Sequence, residues 1–256
     1  MSDYPEIAER FAKETAAHEM TVLHDDGLYR HLKFSNPERR WSYWFDLITV
    51  PDALIFRGDG ESFVFSRFTD MFEFFRSGIR KDGSLHINPH YWAEKLTSDR
   101  DSVMKYDQNL FERQVKEYVA DAIRERVAPR GISRAVKDLL EDGDISWEDG
   151  ARRALEDFEF GAGFQPTCGC GWKGQLREDE YDALKESRSH RAIGAAHHTI
   201  TGHVEGFTFE DVWEWSFKDY DWWFLWACRA IVWGIQQYDA AKAAEKAQTV
   251  TAGGAA

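Results

Sequence analysis

The sequence predicts an α+β protein: an antiparallel β-meander of about five strands packed against helices, with a small Cys/His insertion. Three observations carry that prediction. Apolar residues alternate with period two from Met20 to Arg67, helical periodicity flanks that stretch on both sides, and an almost wholly apolar helix lies near the C-terminus. With 256 residues, 43% of them hydrophobic and 15% aromatic, the chain is long and apolar enough to bury a sizeable core.

The elements follow in order. Pro5 to His18 places Ile7, Ala8, Phe11 and Ala12 at helical spacing, which predicts a short amphipathic helix. Then the period changes. MTVLH and LYRHLKF flank Asp25-Asp26-Gly27, and Asp-Gly between apolar runs is a hairpin signal. SYWFDLITV, ALIFRG and SFVFSR come next, separated by Pro51-Asp52 and by Gly58-Asp59-Gly60-Glu61. Five strands joined by such short turns form a meander, with Leu54, Phe56, Phe63 and Phe65 expected on its inner face. Thr69 is expected to cap the helix DMFEFFRSG, which Gly78 ends. Asn88-Pro89 opens HYWAEKLTS, Gln108 to Val127 reads as a long amphipathic helix, and Ile132 to Glu141 as another. Ser146 is expected to cap a last helix reaching Phe158.

The segment from Phe207 to Tyr238 is the most distinctive. Six of the chain's eleven tryptophans lie between Trp213 and Trp233, and from Trp222 onward the helical wheel has no polar face. A helix apolar all round is buried in protein or crosses a membrane. The run WWFLWACRAIVWGI contains Arg229 and falls short of the roughly 20 uncharged residues that a span requires, so it reads as a core helix. The expected organisation is one α+β domain over residues 1–160 and 206–245, an inserted Cys/His segment over 161–205 and a flexible tail over 246–256.

Composition narrows the function classes. A net charge of −13 argues against a general binder of phosphate backbones, which would carry a basic face. The charged opening MSDYPEIAERFAKE lacks an apolar core, which predicts no signal peptide. Three cysteines, two of them one residue apart, make no disulfide framework and suit a reducing cytoplasm. No glycine-rich phosphate loop, HExxH or Ser-His-Asp signature is present in the sequence.

Three blocks, FDLITVPDALIFRGDGESFVFSRFTDMFEFFR, INPHYWAEKL and FLWACRAIVWGIQQYDAAKAA, occur in that order and resemble an uncharacterised family of proteins encoded by phages and prophages. The resemblance covers residues 17–98 and 206–243 and leaves 161–205 outside it. It implies a small accessory protein in the host cytoplasm, of a kind that acts on host machinery or host defence. No catalytic residue comes with it.

The strongest chemical pattern lies in the insertion, where Cys168-Gly169-Cys170-Gly171-Trp172-Lys173-Gly174 precedes His190, His197, His198 and His203. Two thiolates in a glycine-rich knuckle with histidines on a following helix suit tetrahedral zinc. The expected ligands are Cys168, Cys170, His198 and His203, with His190 or His197 as substitutes. Four filled positions would make the zinc structural, a staple for a segment with little apolar content. Two further features are candidates for ligand binding. Arg229 is either half of an ion pair with an acid among Glu210, Asp211, Glu214, Asp219 and Asp221, or a guanidinium at the base of an aromatic pocket suited to phosphate or carboxylate. His86 and His90 flank Asn88-Pro89 and, with Tyr91, Trp92 and Lys95, outline a pocket in which a nucleotide-like ligand would stack on Trp92. The expected function is a non-enzymatic accessory protein binding a host protein or a small nucleotide signal. A metal-dependent hydrolase is the main alternative, and a zinc module on nucleic acid fits the acidity least.

Overall fold

The computed structural model describes residues 4–98, 100–190 and 199–253. They divide into two compact units, residues 1–105 with 220–256, and residues 106–219.

The first unit is built on a five-stranded antiparallel sheet in the order β1 (Glu19–Asp26), β2 (Tyr29–Ser35), β3 (Phe45–Val50), β4 (Ala53–Gly58), β5 (Ser62–Phe65). Strand order equals chain order because each strand pairs with the next in sequence, through turns of two or three residues except for the longer connection 36–44 between β2 and β3. Asp26 pairs with Tyr29 around Gly27, whose φ of 62° is one that glycine adopts without strain, and Val50 pairs with Ala53 around Pro51-Asp52. Register then fixes the faces. Leu32, Phe34, Phe45, Leu47, Leu54, Phe56, Phe63 and Phe65 all point inward and are buried.

Three helices and one long one cover that inner face. The opening helix α1 (Pro5–Thr15) buries Ile7, Phe11 and Thr15, one turn apart. A short helix α2 (Met71–Arg76) is capped by Asp70, which accepts the Phe72 amide at 2.9 Å; the expected cap, Thr69, instead donates its hydroxyl to Asp52. Asp70 also receives both arms of Arg30 at 3.0 Å, a demand only a carboxylate can meet. Helix α3 (Pro89–Ala93) starts as expected, with Asn88 as cap and Pro89 at the first helical position. The last helix, named α8 below, buries Trp226, Ala227, Cys228, Ala230, Ile231, Val232 and Ile235 completely. Gly234 marks where it touches the sheet, since a Cβ there would lie 2.7 Å from Leu47 Cδ1 and 3.0 Å from Phe34 Cζ. Trp226 sits at the centre, 5.1 Å from the Phe11 ring and 5.7 Å from Phe45, both edge-on.

The second unit has its own core. Helices α4 (Gln108–Arg124), α5 (Ile132–Asp142) and α6 (Glu148–Glu156) gather Phe111, Val115, Val136 and Leu155 around Phe209, Val212 and Phe217. Residues 106–160 and 206–219 therefore group with the Cys/His segment, where the sequence reading had joined them to the meander. The expected Ser146 cap is also replaced: α6 begins after Trp147, and the Ser146 hydroxyl turns back to Asp144. Arg152 of α6 donates to the carbonyls of Val212 and Trp215, tying the extended stretch 207–217 to the helices.

Within this unit the strands β7 (Gly163–Cys168) and β8 (Thr199–Val204) pair antiparallel, and α7 (Glu180–Ser189) packs on them. Phe160 and Phe207 exchange backbone hydrogen bonds of 3.1 and 2.8 Å, closing the 161–205 segment at its base. The short strands β6 (Met104–Tyr106) and β9 (Lys218–Tyr220) lie where the chain passes from one unit to the other. The terminal helix α8 (Trp222–Gly253) runs on through the stretch expected to be a flexible tail, as its Ala, Lys and Glu content favours.

Candidate metal centre

The Cys/His segment forms a tight knuckle. After β7, the Gly171 amide donates to the Cys168 carbonyl at 2.9 Å and the Cys168 amide to the Trp172 carbonyl at 2.9 Å. Gly171, at φ 90°, supplies the reversal that lets Cys168 and Cys170 point to one side. The returning strand continues the pairing, with Thr167 opposite Lys173 and the Gly174 amide donating to the Pro166 carbonyl. One carboxylate latches this hairpin to α7: Glu186 accepts the Gln175 amide at 2.9 Å and pairs with Arg177 at 3.0 Å. Asp179 caps α7 at its other end by accepting the amides of Tyr181 and Asp182.

His190 follows the last turn of α7, and its ring lies flat on Trp172, 4.0 Å between centroids with 8° between planes. That stacking aims Nε2 at the Cys170 sulfur, 3.4 Å away. The two cysteine sulfurs and a histidine ring nitrogen all lie within 4.8 Å of one another. Tetrahedral zinc, with bonds of about 2.3 Å to sulfur and 2.05 Å to nitrogen, sets its ligands about 3.6 to 3.8 Å apart. The cluster is thus drawn together to nearly that spacing and is close enough to bind a metal ion. Cys168 is buried and Cys170 exposed. The Trp172 backbone amide and the Cys168 side chain both hydrogen-bond towards Cys170, holding its thiol below its ordinary pKa, a condition that favours the thiolate a metal needs.

The histidine set differs from the expected one. His203 lies on β8 opposite Phe164, and its ring packs edge-on against that phenyl at 5.3 Å. Thr199 is the residue opposite Cys168, so His203 stands four positions, about 13 Å, farther along the strand and outside the cluster. The expected helix is a strand there, because Thr199-Ile200-Thr201 favours extended backbone. His197 and His198 lie outside the described residues.

The other expected ligand groups are dispersed. Trp92 is buried with its ring 5.0 Å from Phe75, edge-on, so no face is open for stacking. Lys95 reaches Glu94 at 2.9 Å and lies over the Tyr91 ring, and the exposed His90 contacts the Tyr220 hydroxyl at 3.2 Å. Asp221, one of the acids considered for Arg229, is held by Lys105 at 3.0 Å and accepts the Trp223 amide. Arg229 itself is buried and lines a recess of about 620 Å³ in the first unit, together with Trp233 of the same helix face, Phe11, Arg80 and His86. No helix among the described residues is long and apolar enough to cross a membrane. Compared with known proteins, the chain matches no family model, no curated protein and no solved structure.

Proposed function

We propose that the chain is a non-enzymatic accessory protein of phage type. In this reading it binds a host protein or a small nucleotide signal, and structural zinc staples its Cys/His segment. The observation that carries the zinc reading is the convergence of Cys168, Cys170 and His190 to within 4.8 Å. Soft thiolates with an imidazole select zinc over the hard cations. The surrounding design supports a staple. The segment's ends are tied by the Phe160–Phe207 bridge and the β7–β8 ladder, its helix is held to the knuckle by Glu186, and a metal adds the cross-link that so small an apolar content does not provide. Glu186 also bears on the hydrolase alternative. It is the carboxylate one helical turn before His190, the position from which a base would reach a metal-bound water, and both of its oxygens are occupied by Gln175 and Arg177.

X-ray absorption at the zinc edge tests this on protein purified without chelator. About one zinc per chain in a shell of two sulfurs and two nitrogens is expected; two sulfurs, one nitrogen and an exchangeable oxygen would favour the hydrolase instead. His190→Ala is expected to lose the metal and His203→Ala to retain it, while His198→Ala identifies whether that residue completes the shell. Protein without zinc removes the metal reading altogether.

A further inference from the structure

The recess of about 620 Å³ in the first unit has a chemistry that the zinc segment does not share. Its walls come from three separately anchored elements. Helix α1 turns a stripe of small side chains towards it, Ala8 and Ala12 one turn apart, beside Phe11. Helix α8 contributes Arg229 and Trp233, also one turn apart and therefore on one face. The third element is the tight turn after α2, in which the Arg80 amide donates to the Ser84 carbonyl and the His86 amide to Gly78. Gln236 of α8 holds the tip of that turn through the Gly83 carbonyl at 2.9 Å. Arg80 and His86 stand side by side as a result, with a guanidinium nitrogen 3.1 Å from His86 Nδ1.

Charge is what sets the recess apart. In a chain of net charge −13, the described residues lining it include two arginines and a histidine and no Asp or Glu. The acid of the turn, Asp82, is outside the lining and is engaged by Ser84, accepting its amide and hydroxyl. Arg229 is buried at 8% exposure, whereas Arg80 stands exposed at the rim. A guanidinium in the wall of such a recess is the donor that carboxylate and phosphate groups fit best, because its planar fork meets two oxygens at once. The half-buried Trp233 offers aromatic surface beside it, backed edge-on by the buried Phe11, and the volume falls within the range of small-molecule sites.

We propose that this recess binds a small organic oxyanion carrying a flat apolar ring, the size of a nucleoside monophosphate. Its phosphate or carboxylate lies towards Arg229, Arg80 and His86, and its ring lies against Trp233. The proposal deepens the binding-protein reading by naming its ligand class, and it uses no residue of the Cys/His segment.

Isothermal titration of the full chain with AMP, GMP, CMP and UMP, with indole-3-acetate as the carboxylate arm and inorganic phosphate as the ringless control, tests it. At least one ringed anion is expected to bind at submillimolar concentration, at least tenfold more tightly than inorganic phosphate. Arg229→Met is expected to weaken that binding at least tenfold. Arg80→Gln, at an exposed position where folding is not at stake, is expected to weaken it severalfold. The proposal is overturned if no ringed anion binds, if phosphate alone binds as tightly, or if Arg80→Gln and a folded Arg229→Met both bind as the parent does. Zinc content measured on the same sample separates the two readings: a zinc-replete chain that binds no anion sinks the recess alone, and a zinc-free chain that binds sinks the staple alone.

Discussion

Replacing Gly234 by alanine sets two known effects against each other. Alanine in a helix interior is favoured over glycine by about 0.5 to 1 kcal/mol, so propensity alone would stabilise α8. The added Cβ, however, would lie 2.7 Å from Leu47 Cδ1 and 3.0 Å from Phe34 Cζ, where carbon atoms prefer about 3.5 to 4.0 Å. Both neighbours are fully buried on the inner face of the sheet, so neither has open space to move into. Overpacking of this kind costs about 1 to 3 kcal/mol, and the packing loss wins. A net loss of about 1 to 2 kcal/mol is expected, which for a chain of this size lowers the melting temperature by about 2 to 8 °C. Thermal melts followed by near-ultraviolet circular dichroism provide the measurement. Leu47→Ala supplies the control, because removing Cδ1 relieves the nearest clash. Gly234→Ala is expected to cost markedly less in that background, with a coupling of about 1 kcal/mol. A rise in melting temperature for Gly234→Ala alone would refute the reasoning, since it would mean that α8 stands clear of β2 and β3.

Three other outcomes are expected. Trp226→Ala removes a fully buried ring and leaves Glu14 without the indole N–H that it accepts at 2.9 Å, a loss of about 3 to 5 kcal/mol that chemical denaturation will register. Burial holds the His18 pKa below its ordinary value of 6.5, although its ring nitrogen lies 3.0 Å from the Tyr43 carbonyl oxygen. The unfolded chain therefore takes up a proton first, and this contribution to stability is present above about pH 6.5 and lost as pH falls below it. Melting temperature is expected to fall from pH 7.5 to 5.5, with a shallower fall in His18→Gln; parallel slopes would place His18 at the surface. Chelation of zinc is expected to confine new protease cleavage to residues 161–205, and cleavage spread through α4 to α6 would show that the metal supports the whole second unit.

The meander was legible because its information is local. Alternation along each strand and the turns at Gly27 and Pro51-Asp52 specify the pairing together, and burial of Leu54, Phe56, Phe63 and Phe65 follows from register alone. The division into units was not legible for the same reason. An amphipathic pattern in α4 says that Phe111 and Val115 face a core and leaves open which core; their partners Phe209 and Phe217 are about a hundred residues away and adjoin the aromatic helix in sequence. Capping shows a finer ambiguity. Thr69 and Asp70 are both good caps, and the choice went to the residue that also meets Arg30. In the Cys/His segment the knuckle could be read from its glycines. Selecting the histidine required knowing that β8 is a strand, for which Thr199-Ile200-Thr201 was the available signal.

The two candidate sites depend on different kinds of order, and that bears on how each would respond to change. The recess is framed by α1, α8 and the Arg80–His86 turn, and its two helices are anchored in the first unit's core of Phe11, Trp226 and Phe45. The Cys/His knuckle rests on little besides hydrogen bonds. Among the described residues, Ala183 and Ser187 are the buried side chains of α7, and Glu186 and the His190–Trp172 stack beyond its last turn add to its hold on the knuckle. Close packing tolerates loss of one polar contact, whereas a segment so thinly packed needs a strong cross-link to keep a single structure. The convergence of two sulfurs and an imidazole at the tip of that segment therefore falls where a metal would contribute most to order, while the cationic recess falls where the protein is already ordered enough to recognise a ligand.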